Sequence, residues 1–386
     1  MREYLLTLLM AAVATYLLTS VVRRVAIAMG AVTQVRDRDV HAVPTPSLGG
    51  LAMYGGLAAA LLMTSELPRL KIVFEDSTWI AVLVGGGLIT LIGLVDDRFG
   101  MSALTKFAGQ VAAAGILVLG GVRLLWLPLP AGPLALSQEQ GAVLTVALIV
   151  TTINAVNFID GLDGLAAGIV GIAALAFFSY SYLLSVVEGF ERMTDSTLIT
   201  AILTGMCAGF LPHNFNPARI FMGDTGAMLI GLLLSASAVS LTGQFDTSAL
   251  TPLDQFPTVL PLLVPIAVMA VPFIDLLLAV VRRTRAGKSP FAPDKQHLHH
   301  RLLRIGHSHA RAVLIMYFWA ALVAFSAVAV AIVGIPLVVF AVSASIGLVA
   351  LIVMAMPRLR ARRASARRSS RPGRAGGPSP EGPRAG

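Results

Sequence analysis

Charged residues are scarce in this chain, and their scarcity decides its class. Only 13% of the 386 residues are charged, 56% are hydrophobic, and the mean hydropathy is +0.81. Soluble globular domains carry about 25% charged residues, so a soluble protein of two or three domains is excluded. The sequence therefore predicts an all-α, polytopic membrane protein.

Cysteine is almost absent, since Cys207 stands alone. A single cysteine excludes a disulfide within one chain, and its position in the apolar run 202–211 predicts a packed, unreactive thiol. The N-terminus is not expected to be a cleavable signal peptide, because the first apolar run continues to Val22 and the basic pair Arg23 and Arg24 follows it. No internal repeat is evident, which argues against a transporter because many transporters are built from repeats.

Apolar runs long enough to cross a membrane recur along the first 357 residues. We count about eleven, at roughly 4–22, 48–64, 79–95, 107–122, 141–157, 164–187, 197–211, 219–241, 258–281, 312–332 and 335–356. With the N-terminus outside, lysine and arginine concentrate on the inner side, as the positive-inside rule expects. The basic residues that remain outside are Arg2, Arg69, Lys71, Arg123 and Arg192. The C-terminus is therefore predicted to be cytoplasmic.

The same charge distribution explains the isoelectric point near 10.3. Because the basic residues follow the membrane topology, they indicate contact with anionic membrane lipids and no binding of nucleic acid. Residues 1–357 are predicted to form one membrane-embedded domain. From Arg358 the chain is rich in Arg, Ser, Pro and Gly, so residues 358–386 are predicted to form a basic, disordered cytoplasmic tail.

One polar stretch lies between two apolar runs, and it holds Asn154, Asn157, Asp160 and Asp163. Amide and carboxylate groups at membrane depth are unfavourable and mark functional sites. Residues spaced by three drift around an unbroken helix, so all four reach one pocket only if the helix ends there. The two glycines of the stretch permit such an end. The alternative is a polar patch that joins helices.

Further polar residues fall on the same predicted side. Asp96 and Asp97 end an apolar run, where adjacent carboxylates attract a divalent cation or a metal-bound phosphate; an ordinary polar helix end is the alternative. Lys106 begins the next run and is a candidate phosphate contact. Asp224 is expected about 7–8 Å inside a helix that starts near Arg219, as a Mg²⁺ ligand or as the ion-pair partner of that arginine.

The last polar loop contains His297, His299, His300 and Arg301. Three histidines are a candidate zinc site, but no cysteine accompanies them and basic residues surround them, which favours binding of an anion such as phosphate. All these polar clusters fall on the predicted inner side. This one-sidedness favours an enzyme with an open cytoplasmic pocket and a lipid substrate, because a transporter carries its polar groups near the bilayer midplane.

Four motifs, in this order, resemble the polyprenyl-phosphate N-acetylhexosamine-1-phosphate transferases: Asp96-Asp97, Asn154 to Gly164, Phe221 to Asp224, and His297 to His300. The resemblance covers about residues 36–310. Enzymes of this family move a sugar 1-phosphate from a UDP-sugar to a polyprenyl phosphate and release UMP. The His-Leu-His-His pattern and the eleventh run resemble the N-acetylglucosamine branch more than the related phospho-N-acetylmuramoyl-pentapeptide transferases.

The resemblance also implies roles for individual residues. It implies Mg²⁺ (or Mn²⁺ in its place) on Asp224, and contacts of Asp96 and Asp97 with the acceptor phosphate or the metal. It implies nucleotide contacts from Asn154, Asp160, Asp163 and Phe221, whose ring would stack on uracil. It implies pyrophosphate contacts from His299, His300 and Lys106. The candidates for catalysis are Asp96, Asp97, His299 and His300. The candidates for substrate binding are Lys106, Asn154, Asn157, Asp160, Asp163, Phe221, His297 and Arg301, and the candidate metal ligand is Asp224.

The expected reaction is direct attack by a polyprenyl-phosphate oxygen on the sugar-bearing phosphorus of UDP-N-acetylglucosamine. The expected place is the cytoplasmic face of a bacterial plasma membrane. A two-step path through an aspartyl intermediate stays open. So do transfer of the muramoyl-pentapeptide, transport of a nucleotide sugar, an N-acetylgalactosamine donor, and a homodimeric state.

Overall fold

The computed structural model of the protein describes residues 1–33, 45–129, 132–184, 194–243, 270–285, 287, 307–333, 335 and 337–350. Eleven α-helices lie in these ranges, and each overlaps one of the predicted apolar runs. They are α1 Arg2–Ala28, α2 Gly49–Thr64, α3 Thr78–Phe99, α4 Ala103–Leu119, α5 Gln138–Ile159, α6 Leu165–Tyr182, α7 Thr194–Asn214, α8 Gly223–Gly243, α9 Ala270–Arg285, α10 His309–Val333 and α11 Leu337–Ala350.

Most of these helices are suited to a bilayer. Among the described residues, seven helices are long and apolar enough to cross a membrane, namely α1, α3, α5, α6, α7, α8 and α10. Three further helices, α2, α4 and α11, are apolar but shorter. The chain is therefore a mostly helical, multi-pass membrane protein.

The chain divides into two compact units. Met1–Ile335 contains the helices α1 to α10, and the second unit begins at Pro336 and contains α11. The predicted tail at 358–386 lies outside the described residues.

Two short hairpins, which the all-α prediction did not include, connect helices. β1 (Val32–Thr33) pairs antiparallel with β2 (Thr45–Pro46), and β3 (Trp126–Leu129) pairs antiparallel with β4 (Gly132–Ala135). In the second hairpin, Trp126 stands opposite Ala135. Strands of two to four residues are too short to produce a recognisable alternation of polar and apolar side chains, so they could not be predicted from the sequence pattern.

α8 occupies the centre of the first unit. It is buried along its whole apolar length and packs against α2, α3, α5 and α7. A helix that is apolar on every side is typical of such a central position. Gly231 allows the close approach of α5, since a Cβ at that position would press on the backbone of Ile153. The middle of α8 is therefore held closely against α5.

α1 covers the opposite side of α7 through a pair of small residues. Gly205 and Gly209 lie four residues apart on α7, and a side chain on either would overlap the backbone of α1 at Leu8 or Ala12. Small residues at this spacing let helix backbones approach closely within a membrane, where packing and not water drives association.

Candidate active site

The site begins at the tight connection between α3 and α4. Gly100 adopts φ +72° after the last residue of α3, and Ser102 caps α4 by accepting a hydrogen bond from the first turn. The Oδ1 of Asp96 accepts a hydrogen bond from the backbone N–H of Met101 at 2.7 Å. The hairpin thus places Lys106 against Asp96, with 2.8 Å between Nζ and Oδ2.

Two more helices complete the cluster. The Lys106 ammonium also donates to Oδ2 of Asp224 at the start of α8, and Nδ2 of Asn157 on α5 donates to Oδ1 of Asp224 at 2.6 Å. We call Asp96, Lys106, Asn157 and Asp224 the carboxylate–lysine cluster. The Asp224 side chain is 31% exposed and that of Asp96 is 12% exposed, so Asp224 is the more accessible of the two carboxylates.

Asp97 is next to Asp96 in sequence but has a different set of partners. Its Oδ1 accepts from the backbone N–H of Asp224 at 2.9 Å, and its Oδ2 accepts from the N–H and the hydroxyl of Thr225 at 3.1 and 2.6 Å. Asp97 therefore caps α8 from another helix, because it satisfies N–H groups that have no partner inside the helix. Its negative charge also complements the positive end of the helix dipole.

The structure corrects the predicted position of Asp224. The residue lies in the first turn of α8, which begins at Gly223 with φ +70°, and not 7–8 Å inside a helix that starts near Arg219. Its ion-pair partner is Lys106, whereas Arg219 lies before the helix and its carbonyl accepts from Nε of Arg23 at 3.0 Å. The prediction placed the start too early because apolar residues precede the capped turn.

The turn before α2 supports the start of α8 from a third side. The N–H of Phe221 donates to the carbonyl of Pro46 at 2.8 Å, and the N–H of Gly50 donates to the carbonyl of Met222 at 3.1 Å. A Cβ on Gly50 would overlap the backbone of Gly226. Gly50 therefore allows α2 to lie directly against the start of α8.

The helix that carries the polar stretch ends where the sequence predicted. α5 stops at Ile159, Asp160 forms its C-terminal cap, and Gly164 starts α6 in the left-handed conformation with φ +76°. Asn157, in the last turn of α5, reaches the carboxylate–lysine cluster. Burial, followed by the negative charges of Asp224, Asp97 and Asp163, raises the pKa of Asp160 to about 7.

The other two polar residues of the stretch have hydrogen-bond partners on different elements, outside the carboxylate–lysine cluster. Asn154 lies about one turn deeper on α5, and its Nδ2 donates to Oε1 of Gln110 on α4 at 2.7 Å. Asp163 follows the turn, and its Oδ2 accepts from Nδ2 of Asn216 at 2.8 Å and from the N–H of Ala218 at 3.0 Å. Asp163 thereby holds the connection between α7 and α8.

Four of the predicted site residues lie outside the described part of the chain, and two residues that bind predicted site residues were not predicted. His297, His299, His300 and Arg301 lie outside the described residues. The sequence analysis missed Thr225, which binds Asp97, and Gln110, which binds Asn154. The signal for Gln110 was available, because a lone glutamine in an apolar run needs a polar partner.

The carboxylate–lysine cluster matches the ligand chemistry of Mg²⁺. Within the described ranges no three His, Cys, Asp or Glu side chains come together as a metal site. Asp96 and Asp224 do come together on Lys106. Mg²⁺ is commonly held by one or two carboxylates, with substrate phosphates and water as the remaining ligands. The pair therefore fits Mg²⁺ whose remaining ligands are water or phosphate oxygens.

Comparison with known proteins gives consistent matches. Residues 79–242, which include the whole carboxylate–lysine cluster, match the family described as glycosyl transferase family 4. The decaprenyl-phosphate N-acetylglucosaminephosphotransferase of Mycolicibacterium smegmatis is 50% identical over 332 residues, which are 85% of this chain and 82% of that protein. The enzyme of the same name from Mycobacterium tuberculosis is 49% identical over the same shares. The undecaprenyl-phosphate alpha-N-acetylglucosaminyl 1-phosphate transferase of Yersinia pestis is 29% identical over 79% of this chain and 78% of its own length.

Proposed function

The chain belongs to the polyprenyl-phosphate N-acetylglucosamine-phosphotransferases of glycosyl transferase family 4, and on that premise we propose that it transfers N-acetylglucosamine 1-phosphate from UDP-N-acetylglucosamine to a polyprenyl phosphate. The products are polyprenyl-pyrophosphoryl-N-acetylglucosamine and UMP. The observation that carries the proposal is the carboxylate–lysine cluster, in which four helices bring one ammonium, one amide and two carboxylates together. Phosphoryl transfer needs such a site because its catalysis is mostly positioning and charge neutralisation.

The reaction exchanges one phosphorus–oxygen bond for another. An oxygen of the polyprenyl phosphate attacks the sugar-bearing phosphorus of the donor, and the bond from that phosphorus to the oxygen of UMP breaks. UMP leaves with the electron pair of that bond. No covalent bond to the protein is formed or broken in this exchange. A single displacement is therefore the path we propose.

The residues of the cluster have distinct tasks in this reaction. Lys106 offers its ammonium to the diphosphate, since it already contacts the two carboxylates that flank the site. Asn157 holds the Asp224 carboxylate in one orientation. Asp96, fixed by the N–H of Met101, orients the acceptor phosphate. Phe221, Asp160 and the histidine loop at 297–300 are proposed contacts of the donor.

Mg²⁺ belongs to this proposal as the cofactor, with Asp224 and Asp96 as its ligands from the protein. When bound, it supplies positive charge that neutralises the phosphate oxygens. The geometry that supports this assignment is the accessible Asp224 carboxylate beside a second carboxylate.

We further propose that the cluster opens to the cytoplasm, that the N-terminus is outside and that all eleven helices are associated with the bacterial plasma membrane. Support comes from the sequence distribution of lysine and arginine, most of which fall in the predicted inner loops and the C-terminal segment. Arg23, at the end of α1, contacts the carbonyl of Arg219 just before α8. This side would therefore face the anionic inner leaflet.

The test is UMP release by the purified protein with polyprenyl phosphate and radiolabelled donor. We expect UMP and a labelled lipid with UDP-N-acetylglucosamine, and loss of both when EDTA removes divalent ions. A labelled lipid formed only from the muramoyl-pentapeptide donor would identify the related transferase instead. Accumulation of donor in sealed vesicles without labelled lipid would identify a transporter.

A further inference from the structure

A second polar contact lies inside the bundle, beneath the carboxylate–lysine cluster. Nδ2 of Asn154 on α5 donates to Oε1 of Gln110 on α4 at 2.7 Å. Nε2 of Gln110 in turn donates to the sulfur of Met228 on α8 at 3.6 Å. Only 1% of Gln110 is exposed. We call Gln110 and Asn154 the inner amide pair.

The inner amide pair is in register with the cluster on each helix. Residues three or four apart lie on the same helix face, with about 5–6 Å between their Cβ atoms. On the three helices α4, α5 and α8, one member of the cluster is paired in this way with one residue beneath it: Lys106 with Gln110, Asn157 with Asn154, and Asp224 with Met228. An interaction that fixes the three inner residues relative to one another therefore also fixes the three cluster residues one turn away.

Gln110 makes this contact between all three helices. Without water in the hydrocarbon region, a buried amide must find its partners within the protein, so a rotation of α4 that breaks its hydrogen bonds is unfavourable. We propose that Gln110 is a positioning residue of the transferase. By fixing the rotation and depth of α4 against α5 and α8, it holds the Lys106 ammonium and the Asn157 amide on the Asp224 carboxylate.

This inference rests on the proposed function but is distinct from it, since Gln110 itself lies about one turn below the cluster. A merely structural interhelical bond offers a matched control. The hydroxyls of Thr7 on α1 and Thr64 on α2 are 3.0 Å apart and fully buried, and neither helix contributes a member of the cluster. Loss of the hydrogen bond between Thr7 and Thr64 should lower the stability of the protein and leave kcat unchanged.

The experiment compares five variants of the full-length protein in detergent. Gln110→Leu removes the amide, Gln110→Asn shortens it, and Asn154→Gln lengthens its partner. The double exchange of Gln110→Asn with Asn154→Gln restores the combined length of the two side chains, and Thr64→Val is the control. Initial rates of UMP release give kcat and KM for UDP-N-acetylglucosamine. Electron paramagnetic resonance measures binding of Mn²⁺ without substrate.

We expect Gln110→Leu to lower kcat by about ten- to a hundredfold, because a small misplacement of reacting groups has effects of this size. KM for the donor should stay within about twofold, since the change acts on alignment in the transition state. Mn²⁺ binding should weaken in parallel with kcat. The double exchange should recover most of the kcat lost in Gln110→Asn, and Thr64→Val should lower thermal stability with kcat unchanged.

Three outcomes would overturn the inference. They are an unchanged kcat in Gln110→Leu, an unchanged affinity for Mn²⁺ in that variant, or a double exchange that is as slow as the slower single variant. If the wild-type protein releases no UMP, the proposed function fails, and Mn²⁺ binding by Gln110→Leu still decides whether Gln110 positions the carboxylate.

Discussion

The carboxylate of Asp97 accepts a hydrogen bond from the backbone N–H of Asp224 at 2.9 Å, so one acidic residue holds the other at the start of its helix. The adjacent Asp96 instead contacts Lys106. Asp96 and Asp97, although adjacent in the sequence, therefore have different roles. Asp97 fixes the backbone of Asp224, and Asp96 holds the ammonium of Lys106.

The cap can be tested with Asp97→Asn. The amide nitrogen of asparagine cannot accept the two hydrogen bonds from Thr225, so the variant should lose about 1–2 kcal/mol in the free energy of unfolding, a typical cost of losing a helix cap. It should also lower kcat, because α8 begins with Asp224. Thermal denaturation in detergent and UMP release measure the two effects.

Thr225→Val is the milder comparison, since it removes one of the three hydrogen bonds and keeps the shape of the side chain. It should cost less stability than Asp97→Asn. If Asp97→Asn abolished UMP release without any loss of thermal stability, Asp97 would act directly on substrate, as the sequence had suggested.

Asp224→Asn should reduce turnover by at least about a hundredfold while the protein still folds, because it removes the accessible charge of the cluster. UMP release and thermal denaturation measure these two properties. Glu139→Gln is the matched control, since Glu139 is exposed at the opposite end of α5. Full activity of Asp224→Asn, or equal losses in both variants, would contradict the assignment.

Gly50→Ala should destabilise the protein by about 1–3 kcal/mol, because the new methyl group would overlap the backbone of Gly226 at the start of α8. Gly115→Ala is the comparison. It adds the same group within α4, where nothing lies within 4 Å, and it should be neutral or stabilising by up to about 1 kcal/mol. Thermal denaturation distinguishes the two, and similar melting temperatures would show that α2 does not press on α8.

Asp160 should make stability depend on pH. Its pKa is raised to about 7 in the folded protein and is about 4 in an unfolded chain, so the folded state binds the proton more tightly. The resulting stabilisation is fully present below about pH 4 and is lost as the pH rises to about 7.

In Asp160→Asn the carboxylate that binds the proton is replaced by an amide that does not titrate. The melting temperature of this variant should rise relative to that of the wild type between about pH 4 and 7, when both are measured in one buffer series at constant ionic strength. Parallel pH curves for the two proteins would show that Asp160 is not the responsible group.

The positions of the helices were easier to predict from the sequence than the contacts between them. Apolar runs locate the helices because a bilayer admits few other backbone arrangements. The end of α5 at Ile159 was also predictable, since polar residues and glycine follow it. The start of α8 was not, because its cap is Asp97, which is 127 residues earlier in the chain.

The same limit applies to the candidate site. Composition indicated that Asn154 and Asn157 need polar partners, but hydropathy carries no information on the rotation of one helix against another. The partner of Asn157 is Asp224, and that of Asn154 is Gln110. Which amide faces which partner depends on the packing of α4, α5 and α8 together, and local sequence patterns do not specify it.

The enclosed position of α8 has a consequence for how the enzyme responds to its lipid environment. A helix surrounded by α2, α3, α5 and α7 exchanges no contacts with acyl chains. Changes in bilayer thickness or fluidity therefore act first on peripheral helices such as α1 and α10, which are largely exposed. α1 packs on α2 and α7, which in turn pack on α8, so such changes reach α8 through these two helices.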